Sequence, residues 1–463
     1  MVFSSTVFLF LFLPITLAIY YNPFFNSRNF RNYFLLLASL GFYAWGEPIF
    51  VILMIISIIV GWQVGLKIEM STDKRKRKHL LCIGATFHIT LLFIFKYLSF
   101  TLSQIGLLLH KDVITLNIAL PIGISFFTFQ ILSYLFDIYY RKATAQKNVL
   151  SVGLYIALFP QLIAGPIVRY ETIENQIQNR KENLDDFSYG MMRFIYGLSK
   201  KVLIANYMAQ LADNIFDFGT ELSMAAAWLG AIAYTLQIYF DFSGYSDMAI
   251  GLGRMFGFSF PENFRYPYIS RSAAEFWRRW HISLGSWFRD YVYIPLGGNR
   301  VNYSRWVFNF FVVWALTGIW HGANWTFLAW GLFYFVLLIL ERLTKFPEHI
   351  GVFAHIYALT SIVVGWVIFR SNDLSFAIHY IETMFAMGSE GLTDDLFYLS
   401  ISKSWTILLI AIIISTPILE KINLSISTKV SQIVEPFFAL SLFILSLIVC
   451  ISSSYNPFIY FNF

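Results

Sequence analysis

The stretch TGIWHGANW, Thr317 to Trp325, places His321 between two apolar runs with Trp320, Gly322, Asn324 and Trp325 around it. A neutral imidazole accepts a proton from a hydroxyl, and its ordinary pKa lies near working pH. Residue type alone equally allows an interfacial or structurally hydrogen-bonded histidine. A second histidine, His281, lies about 40 residues earlier in FWRRWHISLGSWFRDYVYIPLGG, Phe276 to Gly298, with Arg278, Arg279, Trp280, Arg289 and Asp290. A paired active site is conceivable from that spacing but is not established by it. In QIYFDFSGYSDMAIG, Gln237 to Gly251, Asp241 and Tyr245 are four residues apart, as are Ser243 and Asp247, so each pair shares a helix face. These carboxylates either line a polar cavity or pair with nearby arginines. Two further segments, PIGISFFTFQ (Pro121 to Gln130) and FPQLIAGPIVRY (Phe159 to Tyr170), mix helix breakers with polar groups, as a tunnel wall would. Lys96 and Asp137 belong to such a wall or sit at span ends and snorkel.

The elements that must carry these residues are set by composition. Of 463 residues, 57% are apolar, 19% aromatic and only 13% charged, with a mean hydropathy of +0.62. A soluble chain carries about a quarter charged residues, so the main solvent here is lipid. Runs long enough to span, or nearly so, cover 3–20, 32–46, 48–66, 80–100, 115–138, 190–216, 223–252, 305–320, 323–342, 352–370, 404–419 and 433–453, which predicts eleven or twelve helical passes. Residues 150–168 are apolar but contain Pro160, Gly165 and Pro166, which predicts a broken, re-entrant segment covered by protein. Ionisable groups inside such spans are costly, so their default reading is functional.

Lysine and arginine orient the passes. The cluster Lys74 to Lys78 marks a cytoplasmic loop. Counting outward puts Arg28, Arg31, Arg141, Lys142 and Lys147 inside, and Glu47, Asp213, Asp217 and Glu221 outside with the acidic loop of Asp373, Glu382, Glu390, Asp394 and Asp395. Both termini then lie outside. Residues 2–20 lack a basic leader and a small-x-small cleavage site, and read as a retained first helix. Arg254 to Arg305 holds eight arginines and no lysine, interleaved with tryptophan and tyrosine. Positive-inside bias and an aromatic belt explain part of this. The planar guanidinium fork also suits phosphate and carboxylate, so this cytoplasmic segment is a candidate surface for a phosphorylated donor. The net charge of +6 follows from membrane topology and requires no nucleic acid. Cys82 and Cys450 fall on opposite sides of the membrane, which leaves neither a disulfide framework nor a zinc site. No repeat stands out, and GLGRMFG, Gly251 to Gly257, follows no strand and marks helix packing rather than a nucleotide loop.

Taken together, MVFSSTVFLFLFLP, FYAWGEP, PIGISFFTFQ, PQLIAGPIVRY, FDFSGYSDMAIGLG, FWRRWHISLGSWFRDYVYIPLGGNR and TGIWHGANW, in that order, closely resemble the membrane-bound O-acyltransferase (MBOAT) superfamily. The likeness is to its bacterial AlgI-like and peptidoglycan O-acetylating branch and runs nearly end to end. The resemblance implies one membrane-embedded domain over 1–463, an all-α polytopic bundle of about 11–12 transmembrane helices with re-entrant segments and a thinned centre. It places the family histidine at His321 and the other motif histidine at His281. It implies acetyl transfer from cytoplasmic acetyl-CoA, with no permanently bound cofactor and no metal, toward a surface polysaccharide through an extracytoplasmic SGNH-type transferase. The location implied is the bacterial inner membrane. Arg278, Arg279, Trp280 and Arg289 become candidates for holding the donor. Asn324, or a backbone N–H near Gly322, becomes a candidate for oxyanion stabilisation. The ending NPFIYFNF is open to two readings: an interfacial aromatic belt, or a terminal motif whose tyrosine, Tyr460, carries the acyl group transiently. A reading of another class is a transporter or flippase of a polysaccharide precursor. The paired halves common in transporters are not evident in this chain. The polymer, whether alginate, peptidoglycan or another exopolysaccharide, is not specified by the sequence.

Overall fold

The computed structural model describes residues 1–110, 116, 118–219, 221–425, 428–453 and 455–459, with backbone alone for 422–425 and 428–432. The regular structure of the described residues is all helical, with no strand among them. Among the described residues, six helices are long and apolar enough to cross a membrane: Phe50–Met70, Lys74–Leu109, Trp325–Thr344, Phe353–Arg370, Asp395–Ile414 and Ile433–Ser452. Phe8–Tyr20 and Ile124–Tyr139 are shorter apolar helices. The other predicted passes also form helices, among them Arg28–Ala44, Met224–Met255 and Tyr303–His321. They stay outside the group of six because their sequences are more polar, as Asp241 and Asp247 illustrate. The helices fall into two units, Met1–Phe194 with Ser246–Pro261, and Ile195–Tyr245 with Glu262–Phe463.

In the first unit, small residues let helices approach. A Cβ on Gly65 would lie 2.5 Å from the Tyr134 ring, and one on Gly84 would lie 2.9 Å from both Val64 and Leu135. Ile124–Tyr139, wedged against Phe50–Met70 and Lys74–Leu92, is buried along nearly its whole length. The segment predicted to break does so. The helix Val149–Ala157 stops at Leu158, a short turn Phe159–Leu162 follows, and protein buries almost all of 149–168. Asp137, fully buried, does not snorkel: its carboxylate accepts the Glu171 N–H at 3.0 Å, at the start of Tyr170–Asn179.

Loops that the charge count put on one side meet one another in this unit. Arg77 donates to the carbonyls of Ile138 and Tyr139 at 2.9 and 2.8 Å, and Lys142 approaches Glu171 at 3.8 Å. Glu182 is the hub of a second junction. It accepts from Arg28 at 2.6 and 2.9 Å, from Arg31 at 3.2 Å and from the Tyr20 hydroxyl, with Arg180 at 3.7 Å. Burial pushes its carboxyl pKa up, but the hydrogen bonds from Arg28 and Tyr20 and the arginine charges prevail and hold it at about 2. A carboxyl depressed on folding contributes stability above its unfolded pKa and loses it as pH falls toward the folded value. Wild type is therefore expected to melt above a Glu182→Gln variant at neutral pH, with the gap closing between about 4.5 and about 2. Melting temperatures of both proteins across that range test this, and a gap independent of pH would refute it.

The second unit holds the helical hairpin Tyr303–His321 and Trp325–Thr344. Its two arms touch through glycines. A Cβ on Gly331 would lie 2.5 Å from the Trp314 carbonyl oxygen and 3.2 Å from the Gly318 Cα, while one on Gly318 would strike the Phe327 carbonyl. Phe353–Arg370 packs alongside, and Gly365 faces the Tyr334 hydroxyl with the same lack of room. Acidic segments read as external also join here. Asp394 accepts the Ser223 N–H at 2.9 Å, and Arg370 pairs with Asp213 at 2.7 Å.

Candidate active site

His321 is the last residue of Tyr303–His321, and the chain then extends through Gly322 before Asn324 caps Trp325–Thr344. The residue is buried, 8% exposed. Trp330 and Phe369 stand edge-on to it, each with ring centroid 5.0 Å away, and Trp320 lies at 4.9 Å. Aromatic walls of this kind exclude water from the imidazole. Asn324 serves the helix: its side-chain oxygen accepts the Thr326 N–H at 3.1 Å and its nitrogen donates to the Asn372 carbonyl at 2.7 Å. That second bond ties the His321 turn to the start of the acidic loop. A Cβ on Gly322 would collide with the Phe327 ring, so the turn closes tightly beside the histidine.

His281 sits at the joint between Ala273–Arg279 and Ile282–Phe288, in left-handed conformation with φ 44°. Such a φ is uncommon for a residue with a side chain and is held here by a polar hub. The fully buried Asn263 accepts the Ser283 hydroxyl at 2.8 Å and its N–H at 3.2 Å on the same oxygen that faces His281 Nδ1 at 3.1 Å. An acceptor there assigns the proton to Nδ1 and leaves the Nε2 lone pair as the basic end. Nε2 is buried and has no hydrogen-bond partner among the described residues. Burial lowers the His281 pKa to about 3, so this ring is neutral through the physiological range. Trp320 links the two histidines, 6.1 Å from His281 and 4.9 Å from His321, so the imidazole centroids are within about 11 Å of each other.

The arginine- and tryptophan-rich segment is built on its own anchors. Glu341, buried in the second arm of the hairpin, accepts the N–H groups of Ala273 and Ala274 at 2.6 and 2.9 Å and the Tyr357 hydroxyl at 3.0 Å. A carboxylate there satisfies the open N-terminus of Ala273–Arg279. Trp280 is buried, packed 4.8 Å from Trp366 and 4.9 Å from Phe264. Arg278 is exposed, with no carboxylate partner among the described residues. Arg279 pairs with Glu275 at 2.8 Å and the exposed Arg289 with its neighbour Asp290 at 2.6 Å. Arg278, Arg279, Trp280 and His281 are thus consecutive residues at one helix joint, and His321 lies across Trp320 from His281. Tyr460 lies outside the described residues.

The carboxylates of Met224–Met255 part ways. Asp247 pairs with Arg193 at 2.8 Å, and Asp241 pairs with Lys201 at 2.7 Å. Asn263, Glu341 and Lys201 went unremarked in the sequence. For Glu341 and Lys201 the signal was present, since each is a charged residue within an apolar run. Asn263, in a polar loop, carries no such mark.

The profile of the MBOAT, membrane-bound O-acyltransferase family matches residues 79–347, a stretch that contains both histidines. The chain belongs to the membrane-bound O-acyltransferase family. It is an O-acyltransferase and an all-α, multi-pass membrane protein. Among its relatives, the probable alginate O-acetylase AlgI of Pseudomonas putida is 39% identical over the whole of both chains. The peptidoglycan O-acetyltransferase of Helicobacter pylori is 35% identical over 85% of this chain and 81% of its own. The teichoic acid D-alanyltransferase of Bacillus subtilis is 29% identical over 48% of this chain and 59% of its own. This MBOAT chain thus shares its likeness with enzymes named for three different surface polymers.

Proposed function

We propose that this acyltransferase, as one membrane-embedded domain in the bacterial inner membrane, takes acetyl from cytoplasmic acetyl-CoA and passes it to an extracytoplasmic polysaccharide by way of an SGNH-type partner. The reading is carried by full-length similarity to alginate O-acetylases. Donor phosphates are held by Arg278, Arg279 and Arg289, with Trp280 packing their helix from beneath. His321 takes the proton of an acceptor hydroxyl as its oxygen attacks the thioester carbonyl. The C–O bond forms, the tetrahedral oxyanion is held by a backbone N–H near Gly322, and the C–S bond then breaks. CoA leaves as the thiolate and recovers the proton from His321. Asn324, whose amide is engaged in capping, contributes by fixing the turn. His281, neutral and with its buried Nε2 lone pair, serves the thioester end. Both termini face outside, and Tyr460 is the first acceptor, which hands acetyl on to the partner.

The test measures free CoA release by the purified protein together with ester-linked acetate on surface polymers. Tyr460→Phe is expected to remove polymer acetate almost completely. Normal acetate in that variant would rule out the carrier, and movement of intact glycan without CoA release would replace the enzyme with a transporter.

A further inference from the structure

The last described residues of the chain are held by a buried ion pair. Lys201 and Asp241, with side chains 4% and 2% exposed, meet at 2.7 Å. Each also grips main chain. The Lys201 ammonium donates to the Pro457 carbonyl, and the Ile459 N–H donates to the second Asp241 oxygen at 2.9 Å. Between them the buried Phe458 packs its ring 4.9 Å from that of Tyr245, with the Lys201 ammonium 5.9 Å from its centroid. Upstream, the Tyr455 hydroxyl donates to Asp213, the same carboxylate that pairs with Arg370.

Lys201 and Asp213 lie on the continuous helical stretch 200–216, about 18 Å apart along its axis. The tail therefore runs along that stretch from the acidic, Arg370 end inward. A buried ion pair is a poor device for packing alone, because apolar residues of equal volume are often at least as stable. A non-helical chain end brought into the interior has a different need, since its carbonyl and N–H groups must find partners. Lys201 and Asp241 supply one of each while neutralising one another. The grip depends on main chain and on one aromatic ring. It also sits near His281: Phe242, next to Asp241, meets the His281 ring edge-on at 4.6 Å.

We propose that Lys201 and Asp241 form a main-chain clamp that docks the C-terminal tail inside the second unit in fixed register. In the function proposed above, on which this purpose rests, a tail held in fixed register is what an acyl carrier at its end requires. Both are positioning residues.

A reporter cysteine at Ile459, in a background with the free Cys82 and Cys450 replaced by serine, reads the clamp directly. Labelling by N-ethylmaleimide of the full chain in nanodiscs, followed by intact mass, is expected to be slow with the clamp present. It should be about tenfold faster or more in Lys201→Met. The double variant Lys201→Met/Asp241→Leu leaves no orphaned charge and so guards against misfolding; it should label equally fast. Unchanged labelling in a double variant that melts as wild type does would overturn the clamp. Tyr460→Phe is expected to label as slowly as wild type. If that variant also acetylates normally, the carrier reading fails while the clamp stands.

Discussion

Replacing His321 with alanine is expected to lower acetyl transfer by about 10² to 10⁴-fold, the usual share of a general base, while the protein stays folded. The imidazole ends a helix and packs against the rings of Trp320, Trp330 and Phe369. Its removal leaves a modest apolar gap, which aromatic walls tolerate at limited cost. Two measurements separate the effects: CoA release by purified protein, and its melting temperature against wild type. His321→Gln, which keeps most of the volume without the basic nitrogen, should be as inactive as alanine. Full activity in His321→Ala would remove His321 from the chemistry.

Gly331→Val is expected to have an effect of a different kind, the loss of the folded site. The added Cβ would stand 2.5 Å from the Trp314 carbonyl and 3.2 Å from the Gly318 Cα. Real Cβ atoms essentially never come within 3.0 Å of a neighbouring heavy atom, and these neighbours are backbone, so neither can rotate away. The two arms of the hairpin must separate, and the arm that moves carries His321 at its end. Overpacking of this sort costs about 3 kcal/mol or more. The expected outcome is little monodisperse protein, a lowered melting temperature and negligible CoA release. Gly285→Ala is the control, because a Cβ there meets nothing within 4 Å, and it should behave as wild type. A Gly331→Val protein with normal yield and melting temperature would refute the close-contact account.

These two residues also divide what was legible in the chain from what was not. His321 was legible because an imidazole inside an apolar run is conspicuous, and the passes on either side appear in the structure within a few residues of where hydropathy placed them. The break near Leu158 was legible for the same reason, Pro160, Gly165 and Pro166 being local signals. The count of eleven or twelve passes included helices that carry buried charge, because apolar length does not reveal which polar residues find partners inside the protein. Asp241 shows this best. Its spacing from Tyr245 placed it on a helix face, yet pairing with an arginine and lining a cavity both stayed open, and its partner turned out to be Lys201, forty residues earlier.

By itself the sequence determined that this is an α-helical membrane protein, which stretches form its apolar helices, and which histidines to suspect. Local composition and spacing carry that information, since lipid imposes one rule on every residue of a span. Only the tertiary structure decided that Asn263 sets the proton of His281 and that Asn324 serves as a cap. It likewise decided that Glu341 holds the arginine-rich helix and that Lys201 and Asp241 grip the tail. Each of these is a hydrogen bond or ion pair with a partner on another segment of the chain. Such partners are chosen by packing, which brings together residues that no window along the sequence contains.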